Sequence, residues 1–74
     1  MIKFGVVLFH TTSAVMRAEK LLMAKGYTIK LIPTPREFSS DCGIAIRFEW
    51  DKLALLKSDL HSAGLETGGI YRMP

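Results

Sequence analysis

The sequence predicts an α+β fold: four antiparallel strands in one sheet, with two helices on one face. Three observations predict it. Apolar, capping and turn residues alternate so that the elements read strand, helix, strand, strand, helix, strand. Glycine punctuates the two halves alike, because the interval from Gly5 to Gly26 equals that from Gly43 to Gly64. The chain has 74 residues, enough for a single domain spanning 1–74 with one modest core.

Residues 4–9 form a β-branched and aromatic run, the signature of a buried central strand. Thr11, Thr12 and Ser13 follow, and each can accept a hydrogen bond from the free N–H groups that open a helix. Ala14, Ala18, Leu21, Leu22 and Lys25 then recur at helical spacing, with Arg17, Glu19 and Lys20 on the wet side. Gly26 suits the left-handed position after a helix. Residues 27–32 alternate as a second strand. Pro33 and Pro35 are expected to end it, since proline donates no ladder hydrogen bond.

Residues 33–42 read as a loop and residues 43–48 as a third strand. Asp51 is expected to cap a second helix with Leu53, Leu56, Leu60 and Ala63 on its buried face and Gly64 at its end. Residues 70–72 make the last strand after the turn Thr67-Gly68-Gly69. Two strand–helix–strand halves of this kind interleave as the ferredoxin-like split βαβ sandwich, a βαββαβ order with strands arranged 4-1-3-2. That arrangement brings His10, Thr11 and Thr12, Cys42 and Gly43, and the 64–69 connection to one edge, with the 33–42 loop above it.

Composition bounds the function. Hydrophobic residues make up 49% and charged residues 23%, as in a globular chain and unlike a disordered one. The first apolar run is too short for a membrane span, and residues 1–3 lead straight into it without a targeting pattern. One cysteine argues against a disulfide scaffold, so the expected location is cytoplasmic. The ten basic residues are scattered and form no stripe, so the net charge of +3 reads as solvated surface and nucleic acid is not expected as the main partner. With one cysteine and two distant histidines, no metal site is expected. An exposed edge strand could pair two copies into a homodimer.

Cys42 is the best candidate for a working residue. A thiolate is the reactive form, and unpaired N–H groups at a helix N-terminus stabilise it. Arg36 would add a full charge, whereas Asp41 opposes it. The 33–42 loop exceeds the roughly two to five residues usual between hairpin strands, and its prolines stiffen it. Thr34, Ser39 and Ser40 offer hydroxyls there, for an anion or for the loop's own amides. His10 reads as a packing or surface residue, and Trp50 as a core edge or a dimer contact.

The stretch Leu31-Ile32-Pro33-Thr34-Pro35-Arg36-Glu37-Phe38-Ser39-Ser40-Asp41-Cys42-Gly43-Ile44-Ala45 resembles the signature of the selenium/sulfur carrier protein-like family of short bacterial proteins. The likeness extends over nearly the whole chain. It implies a carrier without its own turnover that holds sulfur or selenium on Cys42 as a persulfide or its selenium analogue. Donor and acceptor proteins would be its partners, and it would need no cofactor. Arg36, Ser39, Ser40 and the first helix's amides would then stabilise the anion. Cys42 is followed by Gly43, where better-characterised small sulfur carriers have a cysteine–proline pair. The carrier reading expects a reachable sulfur. Two other functions compete: a non-catalytic module whose 33–42 loop holds an anionic ligand or partner, and a single-stranded RNA binder using Phe4, Phe9 and Phe48 on an open sheet face.

Overall fold

A computed structural model of the chain describes residues 2–38 and 42–74. The elements are β1 (Phe4–Leu8), α1 (Thr12–Ala24), β2 (Ile29–Pro33), β3 (Ile44–Glu49), a 3-10 turn (Trp50–Lys52), α2 (Leu53–Ser62) and β4 (Gly69–Arg72). The sheet order is β2-β3-β1-β4 and all three pairings are antiparallel. This is the expected α+β fold and strand order. The two most apolar strands, β1 and β3, occupy the centre, where both of their faces are covered.

Side chains alternate across the sheet and sort into two apolar clusters. Val7, Phe9, Ile46 and Phe48 meet Val15, Ala18 and Leu22 of α1 and Leu56 and Leu60 of α2 in one core. Both helices therefore lie on one face. Val6, Leu8 and Ala45 point the other way and are covered by Ile32, Phe38 and Met73 rather than by a helix.

Local chemistry explains the helix ends. Thr11 is the N-cap of α1, its Oγ1 accepting from Ala14 N at 3.1 Å, a contact worth about 1 kcal/mol. Gly26 and Gly64 follow the two helices with φ of 87° and 71°, left-handed conformations that a side chain disfavours. The end of α1 is latched to α2. Tyr27 donates its phenol proton to Asp59 Oδ2 at 2.6 Å, and Lys25 Nζ lies 3.7 Å from Asp59 Oδ1. Burial first, then the hydrogen bond and negative charge of Asp59, push the Tyr27 hydroxyl up to about 12.

Four sequence expectations need correction. Asp51 does not cap α2. Trp50 N donates to Lys3 O at 2.9 Å, which ties the chain to the first strand just past β3. The next residues form the 3-10 turn, so Asp51 falls inside it and the cap position passes to Lys52, which makes no side-chain capping bond. Ala63 is exposed, because α2 ends at Ser62. Val15 belongs to the buried stripe of α1, while Lys25 is exposed at its C-cap. Pro33 lies within β2 opposite Ile44, which an edge strand tolerates because one side of its backbone needs no partner.

Gly5 has a packing role. A Cβ there would lie 2.5 Å from Cε3 of Trp50. The indole thus sits directly on the β1 backbone, with Phe48 beside it at a ring separation of 6.0 Å. Trp50 is a core edge, as its sequence position suggests. Among the described residues, no helix is long and apolar enough to cross a membrane.

Candidate functional site

The antiparallel pairing of β1 with β3 puts the end of one beside the start of the other. The chain leaves β1 through Phe9 and His10 and enters α1 at Thr12, so the first turn of α1 sits beside Cys42, just ahead of β3. Thr12 Oγ1 and Cys42 Sγ are 3.6 Å apart, a contact in which either atom can donate. Thr12 is the first residue of a thirteen-residue helix with no acidic side chain in its first turn. The positive end of the helix dipole is therefore uncompensated by the helix's own residues.

The base of the 34–43 segment is fixed by two bonds. Thr34 N donates to Gly43 O at 3.0 Å, and Thr34 Oγ1 donates to Cys42 O at 2.9 Å. Thr34 thus holds the backbone on either side of the Cys42–Gly43 peptide. Its hydroxyl proton serves the loop, one of the two roles open to it in the sequence. Thr11 likewise serves as the N-cap.

The expectation of a reachable sulfur is corrected here. Cys42 is only 4% exposed and belongs to the main core cluster with Val15, Ile46 and Phe9. An uncharged cysteine is a small hydrophobe, and the core accepts it as one. The sulfur therefore faces aliphatic packing and also the polar leading end of α1. Two of its described neighbours, Thr12 and Gly43, are exposed. Among the described residues, a Cβ on Gly43 would meet nothing within 4 Å.

The other expected residues fall as follows. His10 is exposed and sits against the α2–β4 connection, where a Cβ on Gly68 would lie 3.6 Å from His10 Cε1. Gly68 N donates to Leu8 O at 2.6 Å, which brings that connection to the same edge. Arg36 is exposed in the turn in which Phe38 N donates to Pro35 O at 3.0 Å. Ser39, Ser40 and Asp41 lie outside the described residues. Among the described residues, no group of three or more His, Cys, Asp or Glu is placed to hold a metal ion.

One participant escaped the sequence reading. Phe38 leaves the loop for the helix-free face, where its ring stacks on Tyr71 at 4.5 Å and 7°. A lone aromatic in a stretch of proline, serine and charge was the available signal.

No curated protein and no solved structure matches the chain in the comparisons made. A family model does match, over residues 4–72, and its description reads "Putative Se/S carrier protein-like". With nearly the whole length covered, including the 34–43 segment and Cys42, the chain belongs to this Se/S carrier protein-like family.

Proposed function

We propose that the protein carries sulfur or selenium on Cys42 and passes it to a partner enzyme. The supporting observation is the 3.6 Å approach of the chain's one cysteine to the first residue of α1. A helix N-terminus and a hydroxyl donor stabilise a sulfur anion better than a neutral thiol.

Loading balances as follows. The Cys42 thiolate attacks the outer sulfur of a donor persulfide. A new S–S bond forms at Cys42, the donor's S–S bond breaks, and the electron pair leaves on the donor's thiolate, which takes up a proton. The outer atom now lies about 2 Å beyond Sγ, the length of an S–S bond. Delivery repeats the step with the acceptor's nucleophile attacking that outer atom and the Cys42 thiolate leaving. The selenium version substitutes selenium for the transferred atom. Neither step needs a cofactor.

A buried sulfur makes docking part of the mechanism. The donor has to engage the edge where Thr12 and Gly43 are exposed before it can meet Sγ. Arg36, exposed in the neighbouring turn, supplies positive charge for the anion or for an acidic docking surface.

Intact-mass spectrometry tests the proposal. Wild type and Cys42→Ser are incubated with a cysteine desulfurase and cysteine. The expected result is a gain of one sulfur atom on wild type alone, removed by a thiol reductant. If neither protein gains sulfur, or both do, Cys42 is not the carrier. An anion-binding function that survives Cys42→Ser and disappears in Arg36→Ala would favour the adaptor reading instead.

A further inference from the structure

We infer that the helix-free face of the sheet is a docking surface for single-stranded nucleic acid. The cross-strand registers place Lys30, Arg47 and Tyr71 in one row about the fully buried Val6, since Lys30 pairs with Arg47, Arg47 with Val6 and Val6 with Tyr71. Residues directly opposite one another project to the same side. Phe4 lies on that side one step along β1, with the Arg47 guanidinium 4.1 Å from its ring centroid. Phe38 stacks on Tyr71, whose ring also lies against Gly69, and Tyr71 stays 42% exposed.

Charges that look scattered in sequence gather here. A cleft of about 300 Å³ at this end of the sheet is lined by Lys3, Phe4, Arg47, Arg72 and Met73. The register puts Lys30 and Arg47 on the face itself, while Lys3 and Arg72 reach it only through the cleft at its end. The opposing strand carboxylate is Glu49, across from Phe4. The face thus combines positive charge with partly exposed aromatic side chains.

That combination selects the occupant. A second copy of the chain would bring the same cations against themselves. An acidic protein would satisfy the cations and leave the aromatic rings without a specific partner. A single strand of nucleic acid offers both phosphates and unstacked planar bases, and aromatic platforms in cationic grooves bind it without strong sequence preference. Phe4, Phe9 and Phe48 are candidates in the sequence for stacking or for the core, and the core holds two of them. Phe9 and Phe48 are fully buried on the helix side, and Phe38 and Tyr71 take their place.

Fluorescence anisotropy with labelled ten-nucleotide RNA and DNA strands tests the inference, using the full chain at low salt. Both strands are expected to bind. The slope of log affinity against log salt should be about −2 to −3, as for three or four phosphates released of counterions at roughly 0.7 per contact. Tyr71→Ala should weaken binding about tenfold, with Tyr71→Phe restoring it, and Arg47→Ala should weaken it and flatten the salt slope. Circular dichroism confirms that the variants fold. Cys42→Ser should bind like wild type, which separates this surface from the carrier site. Absence of binding overturns the inference. So does binding unchanged in folded Tyr71→Ala, or full competition by inorganic polyphosphate at equal charge, either of which would mark simple charge attraction. A dimer in solution that buries Tyr71 would also overturn it, and preference for RNA over DNA would identify the 2′-hydroxyl as part of the recognised ligand.

Discussion

Thr12 Oγ1 stands 3.6 Å from Cys42 Sγ, and this contact joins the leading end of α1 to the chain just ahead of β3. It gives the buried sulfur its polar neighbour on the helix side of the sheet. Hydrogen bonds to charged groups are worth about 1.5–3 kcal/mol when well shielded, and less at an exposed residue such as Thr12.

Thr12→Val keeps the shape and removes the hydroxyl. The carrier mechanism predicts persulfide loading roughly threefold to tenfold slower, with Thr12→Ser close to wild type. Stopped-time mass spectrometry measures both rates. Equal rates for Val and Ser would remove the hydroxyl from the account.

The Tyr27–Asp59 latch makes a pH prediction. The fold favours the protonated phenol, because its pKa rises from 10.0 to about 12 on folding. Its contribution to stability is therefore fully present below pH 10 and is lost as pH climbs from about 10 to about 12. In a Tyr71→Phe background Tyr27 is the only tyrosine left. Tyrosinate absorbance should then titrate near the raised value, and Asp59→Asn should move it back toward 10.0. Titration near 10.0 without that substitution would contradict the latch.

Two glycines should respond oppositely to alanine. At Gly5 the new methyl meets the Trp50 ring, and overpacking of that kind costs about 1–3 kcal/mol. At Gly43 it meets nothing among the described residues, and the backbone there is not left-handed, so stability should change by less than about 0.5 kcal/mol. Urea unfolding of the two variants provides the comparison. A neutral Gly5→Ala would mean that the indole can move aside.

These pairs show what the sequence could reveal. The β1 run, the Thr11 cap and the glycines after both helices are local devices whose chemistry is complete within a few residues, so their places were legible. The convergence of Thr12, Cys42 and Gly68 on one edge followed from the strand order. Asp51 misled because a capping residue is recognised by type, whereas the start of α2 is set by the tie from Trp50 to Lys3 across the sheet. The burial of Cys42 was equally hidden, since cysteine suits a core and a reactive edge alike. Phe38 was illegible for a third reason: its partner Tyr71 lies on a strand far along the chain, and no local pattern records a tertiary stack.

The carrier mechanism turns on one atom, the outer chalcogen on Cys42. The most direct measurement loads the protein with radiolabelled sulfur, digests it without reductant, and maps the label by peptide. The label should sit on the peptide containing Cys42, be released by cyanide as thiocyanate, and move to an acceptor thiol in a single turnover. Label absent from that peptide, or present to the same extent in Cys42→Ala, would contradict the carrier mechanism.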